Sequence, residues 1–512
     1  MKLVFFIMLC CLAYLLLGTG LHGDDYIEIL KMSNFSNAEY FYPSAYLHGH
    51  YILGLPAHYL LFWGYKFLGY EYLFIYDAIK VLAHTVSIFL VYEFLKNFFP
   101  PDRALVGSFL FILFPLHDAT TYWYMALVYI LPAALISYSC HLLINNSWSK
   151  SFIFGILGAT FFYTSPPFTF GLSLIFLLQK QFKKFFFFLT PGLLYVCYYL
   201  GIKIYFPFAE KRINDSIDSI GFIKSLLGQI ASSLESFLGP SFFLKIYYSI
   251  LSIEIISLGI VSLMIAILIK SKRRLSKIQQ SPKILIISLC GVLFLSFVIF
   301  ASTGQYNHSP FNLGNRTLIY ASFLASVLIV SFAPSNRKSL AILCIFFLLP
   351  IFGLSDYWKK WNIDQQVIIT NVNQSIELSS LKPQSIVFIT DNLYKKLGPF
   401  DHVEFFSMPW NIKAIFNQHV ANQIKFISLS SYLVITENKV IDMKFEIEYL
   451  LNKNIYLYQT DTDTLLRVTA SELNSLILNR SPSFRHWIQG FKDTRIEELI
   501  ITLNPRLEYI FK

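Results

Sequence analysis

Two aspartates, Asp24 and Asp25, stand side by side in the stretch GTGLHGDDYIEIL, directly after an apolar N-terminal run whose only charge is Lys2. A carboxylate near a bilayer edge is partly stripped of water, which favours general-base behaviour. Two adjacent carboxylates also repel, so they invite a cation between them or a proton on one of them. The chemistry open to the pair is proton abstraction, with metal binding or hydrogen-bond acceptance for the second carboxylate. A plainer use is also open: acidic residues commonly start helices, and DYIEILKM has a helical pattern.

Asp118 is the next candidate. It sits in FPLHDATTYWY, between two apolar runs, where Pro115 ends the first and Tyr122, Trp123 and Tyr124 have the composition of an interfacial belt. A loop that short holds Asp118, and His117 beside it, near the membrane surface; turn formation is the alternative use of the aspartate. Arg316, in SPFNLGNRTLIYASF, precedes another apolar run. A guanidinium there can hold a phosphate headgroup or reach lipid headgroups. Four histidines, His22, His48, His50 and His58, follow the first run. His48 and His50 are two apart and would point to different faces of a helix, which suits hydrogen bonding or a phosphate contact better than a shared metal. Lys66, Lys203, Lys211 and Arg212 are further cations of the same group of loops.

The elements that must position these residues are set by composition. Of 512 residues, 55% are hydrophobic and 14% charged, with a mean hydropathy of +0.54. A soluble domain carries about a quarter charged residues, so the chain belongs with polytopic membrane proteins. Phe (51) and Tyr (32) are abundant, as lipid-facing surfaces require. Apolar runs cover Leu3–Leu17, Tyr72–Leu95, Ala104–Leu116, Tyr124–Ile144, Ser151–Thr164, Phe168–Leu178, Phe185–Phe206, Ile246–Ile269, Ile284–Ala301, Thr317–Phe332 and Leu340–Leu354, about eleven spans. Two are short, with Ser165-Pro166-Pro167 as a hairpin or an interruption between them. The predicted fold class is therefore a membrane all-α bundle of about eleven transmembrane helices.

The net charge of +10 is a topology signal before it is a partner signal. With a cytoplasmic N-terminus, five loops predicted inside hold Lys96 and Arg103; Lys150; Lys180, Lys183 and Lys184; Lys270 to Lys283; and Arg337 and Lys338. Asp24, Asp25, Asp118 and Arg316 then fall outside. The first run also fits a cleaved signal peptide, which leaves the aspartates on the same side. Residues 1–354 form the membrane domain, with 21–71 as its amphipathic first outer loop. Residues 355–512 are more polar. SIVFIT, FISLSSYLVIT and IYLYQTDTDTLLRV read as strands, the last as a hairpin, and ASELNSLIL as a short helix with Ser471 near its cap. This is a small mixed α/β domain, extracytoplasmic by the span count.

Several classes are excluded. No GxxxxGK[ST] or GxGxxG loop is present, so nucleotide binding has no motif. Six cysteines lie inside apolar runs without a Cys-x-x-Cys pair, so zinc and redox motifs are unsupported. No nucleic-acid partner is expected.

Together, Asp24-Asp25 after the first span, the amphipathic stretch to Tyr70, Asp118 in the short second outer loop, and the segments GQYNHSPFNLGNRTLIYAS and WKKWNIDQQVI resemble the GT-C superfamily of integral-membrane glycosyltransferases, whose relatives include protein O-mannosyltransferases and bacterial aminoarabinose transferases. The resemblance implies a GT-C-like bundle and transfer of a sugar from a polyprenyl-phosphate donor to an acceptor hydroxyl of a glycan, lipid or protein. It maps the family's catalytic base onto Asp24; the residues themselves then suggest Asp25 and Asp118 as acceptor-positioning or metal-binding groups, Arg316 as the donor phosphate contact, and His48 and His50 as further phosphate contacts. A divalent cation, Mg or Mn, on Asp24 and Asp25 stays open. The implied setting is a bacterial inner membrane. Asp-Asp departs from the Asp-Glu of the protein mannosyltransferases, and residues 355–512 match no domain of the family. Two alternatives remain: a transporter or flippase of lipid-linked sugars, for which Asp77, Lys80 and His84 in the second span would be the polar groups, and a polysaccharide polymerase or ligase.

Overall fold

The computed structural model describes residues 2–42, 53–205, 218–270, 275–278, 281–303, 308–416, 424–430, 432–436, 438–443, 446–451, 454–478 and 486–503. The chain divides into two compact units. One holds Met1–Gly20, Met32–Pro310 and Gly314–Trp358; the other holds Leu21–Lys31, Phe311–Leu313 and Lys359–Lys512.

The first unit is helical, and most of the apolar runs lie in helices. Among the described residues seven helices are long and apolar enough to cross a membrane: Leu73–Leu95, Pro101–Tyr122, Tyr124–Ile144, Phe182–Tyr205, Lys283–Thr303, Leu313–Phe332 and Lys338–Gln374. They make the chain an integral membrane protein. Lys2–Leu16, Trp148–Ala159 and Pro166–Leu178 are shorter, at 15, 12 and 13 residues. At 1.5 Å per residue a 13-residue helix reaches about 20 Å, short of a hydrocarbon core of about 30 Å. The run expected to cross as one span at Ile246–Ile269 is instead two helices, Pro240–Leu251 and Ile255–Lys270, bent by 107°. Asp356 mends the break: it accepts hydrogen bonds from the Glu254 amide (2.8 Å) and the Ser257 hydroxyl (2.8 Å), supplying the partner that the freed helix start lacks.

Small residues let these helices approach closely. A Cβ on Gly171 would lie 2.5 Å from the Val292 backbone nitrogen and 2.6 Å from its Cα. Gly291, on the same helix as Val292, would meet the end of Leu174 at 2.6 Å. Backbone cannot step aside as a side-chain tip can, so the two helices must part to admit a methyl group. Gly171→Ala is expected to cost about 1–3 kcal/mol in detergent unfolding. Gly259→Ala, whose Cβ would meet nothing within 4 Å, should cost nothing and serves as the control.

In the second unit nine strands are present among the described residues: β1 (Ile386–Ile389), β2 (Tyr394–Leu397), β3 (Phe400–Glu404), β4 (Lys425–Ser428), β5 (Leu433–Ile435), β6 (Lys439–Asp442), β7 (Ile447–Leu450), β8 (Ile455–Gln459) and β9 (Thr464–Arg467). The main sheet has the order β4-β1-β8-β9. β1 pairs in parallel with both β4 and β8, and all four of its residues are buried, as a central strand covered on both faces requires. β8 and β9 form the expected antiparallel hairpin. The segment FISLSSYLVIT, read as one strand, is split into β4 and β5, which lie in different sheets. The helix Ala470–Leu478 is capped by Thr469 rather than Ser471: the Thr469 hydroxyl accepts from the Glu472 amide, and the Glu472 carboxylate accepts from the Thr469 amide.

Candidate active site

The acidic pair belongs to the second unit, and its two members differ. The helix Asp25–Asn34 starts immediately after Asp24, whose carbonyl accepts from the Glu28 amide at 3.0 Å. Gly23 precedes the pair with φ of 51°, in the left-handed region that a glycine adopts without strain. Asp25 is fully buried, and its carboxylate folds back to accept the His22 amide at 2.8 Å. His22 is buried as well and accepts at Nδ1 from the Gln365 amide (2.9 Å), which also donates to the Leu21 carbonyl. Asp25 thus holds the helix start in place, where a negative charge also meets the positive end of the helix dipole.

Asp24 is half-exposed. Its Oδ1 accepts the indole N–H of Trp410 at 2.7 Å. Its Oδ2 has no hydrogen-bond partner among the described residues. Of the pair, Asp24 is the carboxylate with an oxygen available to accept a proton.

Asp118 belongs to the first unit and is buried, 1% exposed. Its Oδ1 accepts from Lys245 Nζ (2.9 Å) and from the Asn315 side-chain amide (2.5 Å); its Oδ2 accepts from the indole of Trp358 (2.8 Å). Lys245, Asn315 and Trp358 are all inaccessible to solvent. The carboxylate is therefore the junction of four separate chain segments rather than the solvated turn residue considered above. His117 is committed to the same local structure, with Nδ1 against the Thr120 hydroxyl (2.5 Å) and Nε2 donating to the Phe111 carbonyl (2.8 Å).

The turn Leu313–Leu318 serves two sites in the first unit. Asn315 reaches Asp118, while Arg316 lies over the rings of Trp123 (5.2 Å) and Tyr129 (5.9 Å) and donates from Nε to the Tyr129 hydroxyl at 3.2 Å. Stacking on aromatic faces fixes the guanidinium plane. His48, His50, Lys211 and Arg212 lie outside the described residues. His58 is buried, with Nε2 against the Tyr40 carbonyl at 2.9 Å.

The polar residues of the second span are also structural. Asp77 accepts from the amides of Gly18 (2.7 Å) and Gly20 (3.0 Å). Lys80 pairs with Asp77 at 2.8 Å and donates to the Thr19 hydroxyl and the carbonyls of Gly20 and Tyr122. Gly18 and Gly20 have φ of 87° and 67°, so this ion pair clamps a turn that only glycine forms cheaply. Sequence reading noted the charges but not their partner, which lies about sixty residues away in the chain.

Among the described residues no group of three His, Cys, Asp or Glu side chains is placed to hold a metal ion. With Asp25 turned back onto the His22 amide, the two aspartates do not offer the paired ligands that a Mg or Mn ion would need.

One histidine has a pH consequence. His308 is buried, donates from Nδ1 to Gln229 Oε1 (2.8 Å), and meets the rings of Phe297 and Phe300. Its Nε2 meets no acceptor among the described residues, and burial pushes its pKa from 6.5 down to about 3. The unfolded chain then binds a proton that the folded chain refuses, so stability is full above pH 6.5 and falls as pH drops toward 3. By pH 5 the loss is expected to be about 2 kcal/mol relative to pH 7. His308→Gln should remove that increment from an unfolding series run between pH 7 and 5.

No family model matches the chain, and no curated protein does. Among solved structures it is similar to the crystal structure of ArnT from Cupriavidus metallidurans bound to undecaprenyl phosphate, with a TM-score of 0.41 and 9% identity over 82% of this chain and 85% of that one.

Proposed function

We propose that the protein is a membrane glycosyltransferase that moves a sugar from a polyprenyl-phosphate carrier to an acceptor hydroxyl at the outer face of a bacterial inner membrane. The observation that carries this reading is Asp24: a half-exposed carboxylate just after the first apolar helix, with one oxygen held by Trp410 and the other open among the described residues. In this reading the acceptor oxygen attacks the anomeric carbon as its proton passes to Asp24 Oδ2, and the bond from that carbon to the carrier phosphate breaks. The electron pair leaves on the phosphate, and a cation offsets its growing charge. Asp25 keeps the start of the Asp24 helix rigid, and Asp118 organises the turn that presents Arg316.

The transporter alternative loses its strongest feature, because Asp77 and Lys80 are spent on the Gly18–Gly20 turn.

The test uses the purified full chain in vesicles with undecaprenyl phosphate carrying labelled glucose, mannose, galactose or arabinose, and a detergent extract of envelope glycans and lipids as acceptor. Release of free undecaprenyl phosphate together with label on the acceptor is the expected result. Movement of intact donor across the vesicle membrane without cleavage would overturn the reading in favour of a flippase.

A further inference from the structure

We infer that the C-terminal α/β unit contributes directly to catalysis, through Trp410 as the positioning residue of Asp24; this rests on the transferase reading above. Trp410 lies in the first turn of the helix Pro409–Phe416, between β3 and β4. Asn411, Ile412, Ala414, Ile415 and Phe416 bury one side of that helix. Phe416 anchors it against Phe406, Phe426 and Tyr458, with ring centroids 5.6, 4.3 and 6.0 Å away. Trp410 is on the opposite side and remains 38% exposed. A large aromatic ring there forgoes much of the burial that would justify its size. It makes a 2.7 Å bond to Asp24 Oδ1.

The chemistry of that bond suits a base. The indole N–H is a donor only, so it orients the carboxylate without competing for the proton that is to be transferred. A hydrogen bond to a charged acceptor is roughly twice as strong as a neutral one and restricts rotation of the carboxylate. With Oδ1 held, Oδ2 is the oxygen presented. The helix is tied to the main sheet, so the donor is a rigid one. Rigid support of this kind keeps a reacting group within the narrow range of productive geometries. The unit that holds residues 359–512 thereby gains a role.

Two variants separate the N–H from the ring. Trp410→Phe keeps an aromatic ring and removes the donor. β-(3-Benzothienyl)-L-alanine installed at position 410 keeps the indole shape with sulfur in place of the N–H. Both should lower kcat for release of undecaprenyl phosphate from the labelled donor by about 10- to 100-fold, the worth of one hydrogen bond to a charged group. The donor KM should change less than about twofold, since the bond acts on the base and not on the carrier. If the benzothienyl variant turns over at the wild-type rate, the ring and not the N–H matters and the inference fails; it fails equally if neither variant changes kcat. Carbodiimide labelling of Asp24, read by peptide mass spectrometry, needs no turnover: the benzothienyl variant should label several-fold faster than wild type, and equal rates would count against the bond. Asp24→Asn in the same assay keeps the two ideas apart. Transfer retained in that variant sinks the transferase mechanism, whereas transfer lost there but unchanged in both Trp410 variants sinks only the role of Trp410.

Discussion

Asp24→Asn is expected to lower transfer by at least about 100-fold while leaving the protein folded, because a positioned general base contributes about 10²–10⁴ in rate. Asparagine is nearly the same shape, and its carbonyl oxygen still accepts the Trp410 indole, so the local structure has every reason to persist. What it cannot do is take a proton. Asp25→Asn is the informative partner. That carboxylate is buried and spent on the His22 amide, so its loss should act on the stability of the helix start, by about 0.5–2 kcal/mol, with a smaller effect on rate. The pair of measurements is turnover of labelled polyprenyl-phosphate sugar beside thermal unfolding in detergent. The opposite pattern, with Asp25→Asn inactive and Asp24→Asn active, would reverse the assignment.

Lys245→Met is expected to be among the most destabilising single changes in the membrane unit. It leaves the Asp118 charge 1% exposed, beside the Asn315 amide and the Trp358 indole but without its ammonium partner. Removing one member of a buried ion pair costs about 3–5 kcal/mol, because the remaining charge is neither hydrated nor matched. The double variant Asp118→Asn/Lys245→Met removes the stranded charge and keeps one acceptor oxygen for the two donors, the Asn315 amide and the Trp358 indole. It should recover more than half of the loss. Unfolding of the purified variants in mixed micelles, analysed as a double-mutant cycle, measures this. A single-variant cost below about 0.5 kcal/mol would mean that water reaches the pair.

The elements were legible wherever the signal is a local sum. Most apolar runs became helices because hydropathy is added residue by residue over a turn-free stretch. The hairpin at Ile455–Arg467 was legible because its turn residues, Asp461 to Asp463, sit between two strand-like runs. Sequence reading failed where a boundary depends on something distant. The last apolar run ends at Leu354, yet its helix continues to Gln374, since WKKWNIDQQVIITNVNQ has no proline or glycine to stop it. The run Ile246–Ile269 bends in the middle because Asp356, about a hundred residues on, caps the exposed helix start.

The candidate site divides along the same line. Composition and spacing alone set the membrane class, the helices, and the adjacency of Asp24 and Asp25 after the first of them. Chain neighbours must share a location. They need not share an environment, and no local property of GDDY distinguishes the two carboxylates. That distinction came from Gln365, which fixes His22 and so the loop onto which Asp25 folds, and from Trp410, 386 residues beyond Asp24. Asp118 likewise takes its partners from 127, 197 and 240 residues away. Burial and hydrogen bonding are properties of what packs against a side chain, so only the tertiary structure could decide which aspartate is buried and which one keeps an oxygen open.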